Sequence, residues 1–86
     1  MAGMTFKETN NLNNMIEKVR YALSLSKKHQ EKFNSYPEGY AVLLSKMDSL
    51  WDEVRKRRPE HSVVIEEATT IAAMAIKLIE FTEGDF

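Results

Sequence analysis

Residues 59–81 read PEHSVVIEEATTIAAMAIKLIEF, and this stretch decides the fold. A proline opens it, and neither glycine nor proline interrupts the rest. Val64, Ala68, Ile71, Ala75 and Leu78 recur every three or four residues, the spacing of one face of an α-helix. Ile65, Ala72 and Ile79 form a second apolar row beside that seam. The run Ile71-Ala72-Ala73-Met74-Ala75-Ile76 is apolar all round, and such a helix is buried on more than one side. A helix is therefore expected from about His61 or Ser62 to Phe81. The alanines at 68, 72, 73 and 75 would let its neighbours approach closely. Two neighbours from one small chain do not easily supply that much cover, so another subunit is expected.

Upstream of Pro59 lies a second helical pattern. Tyr40, Leu44, Met47, Trp51 and Val54 are spaced 4, 3, 4 and 3 residues apart, a heptad seam that Leu43 and Leu50 widen. Proline suits a first helical turn and not an interior, so this helix should begin near Pro37 or Glu38. It should end at about Arg58, because the residue before Pro59 is pushed out of the α region. Further upstream, Leu12, Met15, Ile16, Val19, Ala22, Leu23 and Phe33 mark one stripe of a first helix, expected over residues 11–34. Asn10, Asn11, Asn13 and Asn14 are N-cap candidates for it. Residues 1–9 lack periodicity and read as a flexible arm before a single domain over residues 10–86. The expected fold is all-α: three long antiparallel helices in a bundle completed by homo-oligomerisation, as a dimer or tetramer.

Composition supports that expectation. A chain of 86 residues is one domain, and it buries only about 60% of the surface its unfolded form exposes. It has no cysteine, so neither a disulfide nor a thiolate metal site can staple it, and a partner subunit remains as the source of extra burial. The net charge is -1, which gives no general nucleic-acid footprint. The charge is uneven: +3 over residues 1–36, +1 over 37–58 and -5 over 59–86. The last third thus has an electrostatic reason to lie beside the rest. Residues 1–4 lead into no apolar signal region, and the nine uncharged residues from Ala68 to Ile76 fall far short of the ~20 that a membrane span needs. The chain reads as soluble and cytoplasmic.

Few residues suggest covalent chemistry. The serines at 24, 26, 35, 45, 49 and 62 sit in no GxSxG elbow, and the three glycines form no phosphate loop. His29 and His61 lack ligand spacing and read as solvated helix-end residues. Arg55-Lys56-Arg57-Arg58 reads as favourable charge at a helix C-terminus more readily than as a phosphate contact. Trp51 falls on the heptad seam, where a core or interface role outweighs base stacking. Asp48 and Asp52, four apart, share a helix face, and Glu66 and Glu67 lie early in the last helix. Carboxylates converging from two helices can hold magnesium, although such acids more often solvate a helix face.

Two blocks carry a family resemblance. Residues 38–54, EGYAVLLSKMDSLWDEV, resemble the second helix of small MazG-like proteins, and residues 66–80, EEATTIAAMAIKLIE, resemble their third. These are all-α nucleoside triphosphate pyrophosphohydrolase relatives found in bacteria and phages. The likeness covers about residues 30–82. It implies a metal site built from E-E-x-x-E-L on one helix and E-x-x-D on the next, whose acids hold the magnesium that grips a triphosphate and activates water. On this chain the first motif falls on Ser45, Lys46, Met47, Asp48, Ser49 and Leu50, and the second on Glu67, Ala68, Thr69 and Thr70. Glu67 alone keeps its acid.

The resemblance then implies a scaffold that has lost its metal. Lys46 would place an ammonium where the cation belongs, at a cost of several kcal/mol for ~4 Å separation and an effective dielectric of about 20. Pairing of Lys46 with Glu67 or Glu66 would substitute for the metal. The implied protein is catalytically inactive, carries no cofactor and acts as a nucleotide- or protein-binding oligomer, with ligand residues Ser45, Lys46, Ser49, Glu67 and Thr70. The alternative is a working Mg-dependent pyrophosphohydrolase whose shifted site uses Asp48, Asp52 and Glu67. A third reading is a three-helix interaction module whose likeness to the family is incidental.

Overall fold

A computed structural model describes residues 3–29 and 33–83. Among them are three α-helices and no strand: α1 (Phe6–His29), α2 (Tyr36–Val54) and α3 (His61–Glu83). Helix α3 lies in the middle. It packs against α1 on one side and α2 on the other, whereas α1 and α2 do not pack against each other among the described residues. The apolar run of α3 thus finds neighbours on two sides within one chain. Ala73 and Met74 are buried, while Ile71, Ala72, Ala75 and Ile76 are only half-buried.

Helix α1 starts earlier than its apolar stripe suggests. Thr5 Oγ1 accepts from Glu8 N at 3.1 Å, and Glu8 Oε1 accepts from Thr5 N at 3.4 Å. This reciprocal capping box turns residues 6–9, expected in a flexible arm, into the first turn of the helix. The asparagines at 10–14 therefore lie inside α1 rather than at its cap. At the other end, α1 is described as far as His29, residues 30–32 of the expected helix lie outside the described residues, and Phe33 and Asn34 are not helical. Phe33 is likewise not on the α1 stripe. It stands in the connection to α2 and is buried, together with Ala73 and Met74.

Helix α2 is capped by Ser35, an extended residue (φ -161°, ψ 162°) whose Oγ accepts from Glu38 N at 3.2 Å. Glu38 in turn accepts from Asn34 Nδ2 at 3.1 Å. Pro37 sits in the first turn, as its missing donor requires. A Cβ on Gly39 would come within 2.8 Å of Leu78 Cδ1 and 3.0 Å of the Phe33 ring, so the glycine is what lets α2 approach α3 there. Tyr36 closes the same corner edge-to-face on Phe81, ring centroids 5.1 Å apart.

The face that α2 buries is not the heptad seam. Gly39 and Glu53 are buried and Val42, Leu43, Lys46 and Leu50 half-buried, while Tyr40, Leu44, Met47, Trp51 and Val54 are all exposed. Leu43 and Leu50, read as flanking residues, belong to the buried side. Helix α2 also ends at Val54, before the basic run, so Arg55 is the cap residue and Lys56–Arg58 lie in the turn.

That turn is held by Glu53, only 6% exposed. Its Oε2 accepts from Glu60 N at 2.9 Å and its Oε1 from Lys56 Nζ at 2.8 Å. The Glu60 carbonyl then accepts from Val63 N and Val64 N in the first turn of α3. The backbone bond from Glu60, followed by the Lys56 ammonium, holds the Glu53 carboxyl below its ordinary pKa. The same pair raises that of Lys56.

Candidate functional site

Because α1 and α2 flank α3 without packing on each other, a cleft opens between them over α3. Its volume is about 280 Å³, and it is lined by Ala22, Leu25 and Ser26 of α1, Lys46 of α2, and Thr70, Ala73 and Met74 of α3. The two alanines keep the floor low, and Leu25 and Met74 supply apolar wall. The polar lining is Ser26, Lys46 and Thr70.

Each of the three presents a defined capacity. Ser26 Oγ accepts from the ammonium of Lys77 at 3.0 Å, which leaves its own hydrogen to donate elsewhere. Lys77, 5% exposed, also lies over the Phe33 ring, 4.9 Å from its centroid, and so ties α1 to the α2–α3 corner. Thr70 Oγ1 donates to Glu66 O at 3.0 Å, so its lone pairs face outward as acceptors. Lys46 is half-buried and forms no ion pair among the described residues. The expected pairing of Lys46 with Glu67 or Glu66 is therefore not formed, and Lys46 lines both this cleft and the groove beside Glu38.

The sequence-derived site is only partly assembled. Lys46 and Thr70 meet across the cleft. Ser45 lies with Lys46 in a separate shallow groove alongside Glu38, Ala41 and Val42. Ser49 is exposed and its hydroxyl turns back to Ser45 O at 3.3 Å. Glu67 is half-buried but does not line the cleft. Asp48 is exposed, and Asp52 is taken up by Arg55 at 3.5 Å. No group of three or more His, Cys, Asp or Glu among the described residues could hold a metal ion, so Asp48, Asp52 and Glu67 do not converge.

Ser26 and Lys77 carry no motif that sequence reasoning could single out. Their signal is polarity on an apolar face: Ser26 continues the stripe of Val19, Ala22 and Leu23, and Lys77 follows Ala73 and Met74 by four and three residues. His61 opens α3 and is exposed, and Arg57 and Arg58 are exposed in the turn. No helix among the described residues is long and apolar enough to cross a membrane. No protein-family model matches this sequence, and neither a curated protein nor a solved structure matches it.

Proposed function

We propose that the chain is a non-catalytic MazG-like helical protein, an antiparallel bundle completed by further copies, that binds a nucleotide in the cleft over α3 without hydrolysing it. The observation that carries this reading is Lys46, a cation without a carboxylate partner among the described residues, in a mixed polar and apolar cleft. An ammonium there attracts a phosphate and repels the divalent ion that hydrolysis needs. Ser26 can donate to the ligand and Thr70 can accept from it. Leu25 and Met74 offer apolar wall to a base or sugar. About 280 Å³ falls just below the ~300–1,000 Å³ usual for ligand clefts, so only part of a nucleotide would be enclosed and the rest would reach outward. The apolar surface left open on α1, α2 and α3, including Met15, Ile16, Ile65 and Ile79, supports the oligomer.

The test is a thermal-shift titration with a panel of ribo- and deoxyribonucleotides, alongside an assay for pyrophosphate. The reading expects a nucleotide to raise the melting temperature, magnesium alone to leave it unchanged, and Lys46→Ala to abolish the shift. Magnesium-dependent release of pyrophosphate would overturn it in favour of the hydrolase.

A further inference from the structure

Tyr40, Leu44, Met47, Trp51 and Val54 form a continuous stripe along α2, with exposures from 40% at Val54 to 64% at Tyr40. Helix α2 meets α3 through a different face, around Gly39 and Leu43, and the stripe stays exposed among the described residues. We propose that it is the contact with a second copy of this chain, the two α2 helices lying antiparallel across a twofold axis close to Met47. The proposal rests on the oligomer of the proposed function and adds the surface and orientation.

Three observations choose this occupant. The 4, 3, 4, 3 spacing is the 3.5-residue period that keeps one helix facing another along its length. A twofold near Met47, the middle of the stripe, sets the Tyr40–Leu44 half of each copy against the Trp51–Val54 half of its partner, which matches the stripe to itself with an aromatic in each half. Charge then fixes the direction. Arg55-Lys56-Arg57-Arg58 follows the C-terminal end, and Glu38 is the one charged residue between 36 and 45. Parallel helices would place the two cation runs side by side, whereas antiparallel helices keep them at opposite ends of the contact. Arg57 and Arg58 have no ion pair among the described residues, so nothing there offsets their repulsion in a parallel pair. Five apolar side chains, two of them aromatic, supply several hundred Å² per copy, of the order of the ~800 Å² per partner in a standard interface.

The chain has no cysteine, so single cysteines report orientation cleanly. Sedimentation of the full chain should show a dimer. Met47→Glu, which puts two carboxylates face to face at the axis, should raise the dissociation constant by about 100-fold or more with unchanged helicity by circular dichroism. Met47→Cys should cross-link between copies with a short bismaleimide, while Tyr40→Cys and Val54→Cys, each alone, should not. Cross-linking of all three single variants would overturn the antiparallel orientation. A dimer indifferent to Met47→Glu would overturn this interface and leave the oligomer standing. A monomeric wild-type chain would overturn both.

Discussion

On its α2 side, α3 meets a face closed by position-specific devices: Gly39 under Leu78 and Phe33, Tyr36 against Phe81, Glu53 clamping Glu60. On its α1 side it meets Val19, Ala22 and Leu23, and beyond them Leu12, Met15, Ile16, Tyr21 and Leu25 stay exposed. The first contact is specified within the chain, residue by residue. The second is an apolar stripe of which only the middle is used, with one position-specific contact, from Lys77 Nζ to Ser26 Oγ. The difference teaches that the conformation of this monomer is fixed mainly by the α2–α3 corner, while much of α1 contributes surface rather than core.

Four substitutions would break or sharpen that contrast. Phe33→Ala removes the buried ring that α2, α3 and Lys77 share, and should cost about 3 kcal/mol in chemical denaturation, the lower end for a buried aromatic. Gly39→Val overpacks the corner from the other direction, and a loss of about 1–3 kcal/mol is expected. Equal stability of the valine variant would show that α2 can move away from α3 freely, and the corner would lose its special status.

The Glu53 clamp carries a sign that can be checked. Its carboxyl titrates below the ordinary value in the folded chain, so its contribution is present above the unfolded value and is lost as pH falls through the folded one. Melting temperature should therefore fall on acidification below about pH 4.5 in the wild type, and fall less in Glu53→Gln. The smallest effect is expected on the other side of the molecule. Ile16→Ser, 43% exposed, should change stability by no more than about 0.5 kcal/mol in dilute protein where copies do not associate.

The number of helices and the two breaks at Pro37 and Pro59 are readable in the sequence because period and proline are local signals. The start of α1 is readable too, in Thr5 and Glu8, but that box precedes the first apolar periodicity and is outweighed by it. Which face of α2 turns inward is not readable. A heptad records that a helix has a partner and does not say whether the partner is in the same chain. Gly39 beside Leu43 and Leu50 is a hint of the inner face, since a glycine inside a helix is costly unless something approaches closely. Of the site, the pairing of Lys46 with Thr70 is what the family resemblance implies, and no spacing within the sequence shows it. Ser26 cannot be placed with them, because it comes from α1, whose rotation about its own axis depends on contacts distant in sequence.

The central position of α3 has a consequence for biosynthesis. Among the described residues α1 and α2 do not pack together, and the element that joins them is the last of the three to leave the ribosome. Until residues 61–83 have emerged, the nascent polypeptide lacks the helix on which both preceding ones dock, so the three cannot assemble before α3 is free of the ribosome.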